Sequence, residues 1–146
     1  MRQIDDITAE VIDASIRIHR ELGPGLLESV YETVLAGSLV RAGLRVDRQR
    51  PIDIQFDGLL FPAAFRIDLM VDERLLIEIK SVDQLNTAHS KQLLTYLRLT
   101  KQPVGLLLNF SGATMKEGIR RIVNDYRQPT DPSASPRLRV NQINGE

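Results

Sequence analysis

A chain of 146 residues with 42% hydrophobic and 26% charged residues is long enough to bury one core and too short for two full domains. The absence of cysteine excludes disulfide frameworks, thiolate metal sites and cysteine nucleophiles, and two histidines as far apart as His19 and His89 argue against zinc. Lys plus Arg equals Asp plus Glu at 19 each, so net charge selects no partner.

Asp6 to Leu22 carries Ile7, Val11, Ala14, Ile18 and Leu22 at three- and four-residue steps, with Asp6 or Thr8 as N-cap, and predicts an amphipathic helix. Gly23-Pro24-Gly25 ends it as an interhelical turn. A second helix is expected over Leu27 to Ala42, burying Val30, Tyr31, Val34, Leu35 and Leu39, with Gly43 as a left-handed C-cap. Short strands follow at Val46–Gln49, Ile52–Phe56 and Leu59–Ala63, and Asp57-Gly58 is a two-residue hairpin signal. Phe65–Val71 and Leu75–Ser81, joined by Asp72-Glu73-Arg74, predict another hairpin.

A helix from Thr87 to Leu99, with Thr87 as its cap, leads to the apolar run Val104–Phe110, a strand expected to be covered on both faces. The spacing of Met115, Ile119, Ile122 and Val123 predicts a last helix over Thr114–Tyr126. This order of elements gives an α/β sandwich with a mixed central sheet flanked by helices. One domain is expected over residues 1–126, and Pro129, Pro132, Ser133, Ser135 and Pro136 mark 127–146 as a flexible or loosely docked tail. No apolar run reaches the roughly 18–20 residues of a membrane span, and the opening lacks the order of a signal peptide, so a cytoplasmic protein is expected.

Glu78 and Lys80 lie two apart on a predicted strand and leave the same face as Leu76, which marks that face as partly covered. With a three-residue loop over 72–74, Val71 opposes Leu75 and Asp68 opposes Glu78, their Cβ atoms about 5 Å apart. A two-residue loop instead sends the two acids to opposite faces. In the first register, two hard oxygen ligands without histidine or cysteine favour Mg²⁺ or Mn²⁺, and Lys80 stands ready to stabilise charge on a phosphoryl group. The competing reading is a cross-strand salt-bridge ladder of Arg66, Asp68, Glu78 and Lys80 on an exposed face.

Asp68, followed after nine residues by Glu78-Ile79-Lys80, resembles the D…(D/E)-x-K signature of the PD-(D/E)xK nuclease superfamily. Gly25-Leu26-Leu27-Glu28-Ser29-Val30-Tyr31 is similar to the name-giving motif of the GxxExxY protein family, which is assigned to that superfamily. Gln92-Leu93-Leu94-Thr95-Tyr96 resembles the Q-x-x-x-Y motif of its RecB-like branch. Ile67 stands where the superfamily's name has proline. The resemblance covers about residues 5–125 and implies a restriction-endonuclease-like α/β sandwich. It further implies that Asp68 and Glu78 bind the metal, that Lys80 is the catalytic lysine, and that Glu28 joins them as a further ligand or orienter. Gln92 and Tyr96, four apart on one helix face, would complete the site.

The leading expectation is therefore a Mg²⁺- or Mn²⁺-dependent nuclease that hydrolyses DNA through metal-activated water. Two rivals stand beside it: a catalytically silent module that binds nucleic acid or protein, and a phosphodiesterase acting on RNA or a small molecule. Arg41, Arg45, Arg48 and Arg50, with Lys91, Arg98, Lys101, Lys116, Arg120 and Arg121, are candidates for tracking phosphates. Glu28 also suits a first helical turn electrostatically, Tyr31 and Tyr96 also suit a core, and His19 and His89 have no catalytic partner. No seam in the sequence decides the oligomeric state.

Overall fold

The structure, a computed structural model, describes residues 2–125 and 142–143. Helix α1 (Ile4–Leu22) buries Ile7, Val11, Ala14 and Ile18, while Asp5 and Asp6 in its first turn and His19 and Arg20 in its last complement the helix dipole. Gln3, rather than Asp6 or Thr8, occupies its N-cap, and the Thr8 hydroxyl donates back to the Ile4 carbonyl. Helix α2 (Glu28–Arg41) buries Tyr31, Leu35 and Leu39. Val30 and Val34, expected inside, are more than a third exposed, because the inward face is centred instead on a stripe that includes Glu32 and Ala36. Gly43 follows the helix at φ 89°, the left-handed conformation its position requires.

The four short strands expected next are two long ones, β1 (Val46–Phe56) and β2 (Leu59–Val71). Asp57 and Gly58 join them with φ of 50° and 76°, the positive pair that matches a two-residue hairpin to the twist of its strands. β2 pairs antiparallel with β3 (Leu75–Lys80) as Val71↔Leu75, Met70↔Leu76 and Leu69↔Ile77, which is the odd-loop register. Helix α3 (Thr87–Thr100) crosses to β4 (Val104–Asn109), parallel to β3 and buried throughout. Asn86, one residue before the expected cap, closes α3 in a reciprocal capping box with His89.

The helix expected over Thr114–Tyr126 is absent from the described part of that segment. Lys116–Gly118 forms a 3-10 turn, and β5 (Ile119–Val123) pairs antiparallel with β4. The apolar spacing was compatible with a helix, yet Ile119 and Val123 pack toward one face of the sheet and Ile122 toward the other. Gly118 makes the close approach possible: a Cβ there would lie 2.1 Å from the Asn109 carbonyl oxygen. The tail expected from 127 lies outside the described residues except for β6 (Gln142–Ile143), which pairs with β5.

The sheet order is β1-β2-β3-β4-β5-β6, with β3/β4 the parallel pair. One core lies between α1, α2 and the face bearing Leu69, Val71, Ile77, Ile79 and Leu106. A smaller core on the opposite face joins Met70, Leu76 and Leu107 to Leu93, Leu94 and Leu97 of α3. Among the described residues, no helix is long and apolar enough to cross a membrane.

Candidate active site

Alternation along β3 turns Ile77 and Ile79 toward α1 and α2 and Leu76 toward α3, so Glu78 and Lys80 leave on the α3 side. The β2–β3 ladder runs to Leu69↔Ile77, and one further step sets Asp68 opposite Glu78. There the Asp68 side chain takes over from the main chain, its Oδ2 accepting the Ile79 N–H at 2.8 Å. Glu78 is only 6% exposed, and its Oε1 is buried without a hydrogen-bond partner. Burial above all, then the charge and hydrogen bond of Asp68, push its carboxyl from 4.5 up to about 9, with Lys80 pulling partly in the other direction. Among the described residues no ion pair joins Arg66 or Lys80 to either acid, so the salt-bridge ladder is not what this face holds.

Tyr96 of α3 is half-buried and stacks on Phe65 of β2 with ring centroids 4.0 Å apart. Its hydroxyl is pushed up by burial, then by the charges of Glu78 and Asp68, which places it within electrostatic reach of both. Gln92, one turn earlier on α3, is exposed. Glu28 opens α2 and caps the exit of β3 from the other side: its Oε2 accepts the Ser81 N–H at 2.9 Å, and the Ser81 hydroxyl donates to the Leu26 carbonyl at 3.2 Å. An open groove of about 470 Å³ runs past Leu26, Leu27, Glu28, Ser29 and Ser81. Tyr31, by contrast, is fully buried; it stacks on Phe110, and its hydroxyl donates to the Gly23 carbonyl at 2.6 Å, fixing the turn before α2.

Three residues at the site were not singled out for it by the sequence. Asn109 ends β4 beside Lys80 and holds Val82 by both its N–H, at 3.0 Å, and its carbonyl, at 2.9 Å. A buried amide closing an apolar strand was a legible signal for it. Glu32 and Gln49 carried none: they are 17 residues apart, and the Gln49 side-chain amide donates to Glu32 Oε1 at 2.6 Å and to Asp68 Oδ1 at 3.1 Å. The two histidines have local roles, His89 in the α3 capping box and His19 bonded to the Gly112 carbonyl at 2.9 Å.

The donor set fits a hard divalent cation. Two adjacent carboxylates, one of them buried with an unpartnered oxygen, repel each other when both are ionised, and a cation between them removes that repulsion. Among the described residues no group of three or more His, Asp or Glu is gathered closely enough to hold a metal by itself.

Of the basic candidates, Arg48 is engaged by Glu32, Arg50 by Asp47 and Glu73, Arg45 by Glu73, and Arg121 by Asp5. Arg41, Lys91, Lys101 and Lys116 are exposed, Lys91 directly before Gln92.

A mixed sheet between helices, with Asp68 within β2 beside Glu78 and Lys80 at the end of β3, defines a restriction-endonuclease-like α/β fold. The sequence profile of the PD-(D/E)XK nuclease superfamily matches residues 5–122, and the chain belongs to that superfamily. No curated protein and no solved structure matches it.

Proposed function

We propose that this chain is a Mg²⁺- or Mn²⁺-dependent nuclease of the GxxExxY type, with the Q-x-x-x-Y feature of the RecB-like branch, and that it hydrolyses phosphodiester bonds in DNA. The observation that carries this reading is the unpartnered, buried oxygen of Glu78 beside Asp68, with Lys80 leaving the same strand face. A side chain held this way destabilises the empty fold, and a cation supplies the missing partner.

Asp68 and Glu78 would hold the ion, with Glu28 orienting the loop through Ser81. Once bound, the ion supplies positive charge to the phosphate and eases deprotonation of water. Lys80 places its ammonium where charge gathers on the phosphoryl oxygens, and Tyr96 offers a hydroxyl to the same group. In the reaction the water oxygen bonds to phosphorus as its proton passes to solvent, the ester P–O bond breaks, and the leaving oxygen takes a proton from solvent. Exposed Lys91 and Lys101 suit a polyanionic substrate.

A second reading, a silent binding module with this fold, is favoured by one observation, the lack of a three-ligand metal group among the described residues. The deciding experiment is cleavage of linear and circular DNA, single- and double-stranded, with Mg²⁺ or Mn²⁺, comparing wild type with identically purified Lys80→Ala. The nuclease reading expects a loss of about 10²-fold or more in the variant. Equal behaviour of the two preparations, cutting or not, refutes it.

A further inference from the structure

Gln49 sits in β1 at φ 50°, a left-handed conformation that costs a non-glycine residue about 1 kcal/mol or more and needs a reason. The ladder between β1 and β2 pairs Arg48 with Leu69 and Arg50 with Ile67, and skips the Gln49/Asp68 position between them. At that gap the side chains are joined instead. The Gln49 amide spends both its N–H groups on carboxylates, one on Glu32 Oε1 at 2.6 Å and one on Asp68 Oδ1 at 3.1 Å.

Glu32 is a firm anchor for this bridge. It is 7% exposed, and its other oxygen accepts from Arg48 Nε at 3.2 Å and Nη2 at 3.1 Å. Asp68 is thereby held at both oxygens, by Gln49 at Oδ1 and by the Ile79 N–H at Oδ2. Two donors on two oxygens set its carboxylate plane before any ligand arrives.

We infer that Gln49 is a positioning residue of the carboxylate centre, tying Asp68 through Glu32 and Arg48 to helix α2 so that Asp68 meets a divalent cation in one orientation. This rests on the metal-dependent reading above. Partners that orient metal ligands typically account for 10- to 100-fold in metal affinity. Gln49 is itself exposed, so its side chain contributes little to the core, and its effect on binding is read beside the metal-free melting temperature of each variant.

The test is calorimetric titration of Mn²⁺ into the full chain, with wild type, Asp68→Asn and Gln49→Ala. Expected are measurable binding by wild type, loss of it in Asp68→Asn, and affinity weakened about 10-fold in Gln49→Ala, with a lower metal-free melting temperature because Glu32 loses its Gln49 partner. DNA cleavage by Gln49→Ala should recover at saturating Mn²⁺, whereas Lys80→Ala should not. Gln49→Gly accepts the positive φ without strain and should show the same weakening, which keeps the test open if alanine disturbs the strand. Wild-type affinity in both Gln49 variants overturns the positioning role and leaves the metal reading intact. Absence of Mn²⁺ binding by wild type, or undiminished binding by Asp68→Asn, overturns both.

Discussion

The Asp68 carboxylate accepts the backbone N–H of Ile79 at 2.8 Å, so one ligand of the candidate centre is fastened to the peptide between the other, Glu78, and Lys80. The main-chain ladder stops one pair earlier, at Leu69↔Ile77. A side chain thus completes the sheet where the site begins, and any change at Asp68 reaches Glu78 and Lys80 through the backbone as well as through charge.

Glu78 makes the metal-free protein sensitive to pH. Its carboxyl is raised to about 9 in the folded state against 4.5 ordinarily, so unfolding releases a proton across that interval. Its contribution to stability is fully present below the ordinary value and is lost as pH climbs toward 9. Thermal unfolding in chelator from about pH 5 to pH 9 should show the melting temperature falling by on the order of 5 °C or more, and Glu78→Gln should flatten that fall. A flat wild-type profile would contradict the burial of an uncompensated carboxyl.

Divalent metal should act in the opposite direction. At neutral pH, Mg²⁺ or Mn²⁺ at 100 times its dissociation constant stabilises the folded chain by about 2.7 kcal/mol, a rise of several degrees in melting temperature. Asp68→Asn should remove most of that rise. A differential scan with and without metal reads both outcomes, and coincident curves for wild type count against a metal centre.

The two tyrosines should separate cleanly. Tyr31→Phe removes the donor to the Gly23 carbonyl and should cost about 1 kcal/mol of stability while leaving cleavage at moderate temperature near wild type. Tyr96→Phe keeps the stack on Phe65 and should leave stability unchanged while lowering cleavage by about 10-fold. Urea unfolding and initial cleavage rates, measured on both variants, give the comparison.

Gly118→Ala tests the strand assignment after β4. With a Cβ 2.1 Å from the Asn109 carbonyl oxygen, alanine forces the backbone apart and should destabilise by about 1–3 kcal/mol or more. In a helix the same change would stabilise by roughly 1 kcal/mol. The sign of the shift in a denaturant midpoint therefore decides between the two structures.

Much of the site was legible because it depends on local periodicity. The step of two between Glu78 and Lys80 puts them on one strand face, and the three-residue loop 72–74 then brings Asp68 to Glu78, with Val71 opposite Leu75 as observed. The hairpin at Asp57-Gly58 and the Gly43 helix end were equally readable, since positive φ leaves a chemical mark on the sequence.

What the sequence determined by itself was therefore the set of elements whose signals are short-range: two N-terminal helices, the hairpins, helix α3 without its true cap, the buried β4, and a shared strand face for Glu78 and Lys80. Only the tertiary structure decided the rest. The spacing of Met115, Ile119, Ile122 and Val123 suits a helix or a strand covered on both faces, and the contact of Gly118 with Asn109 selected the strand. The Gln49 bridge joins Glu32 on α2 to Asp68 on β2, residues whose separation along the chain leaves no periodic trace. Burial of Glu78, which gives its carboxyl its unusual proton affinity, arises only in the assembled fold, and desolvation is a property of that assembly rather than of any segment within it.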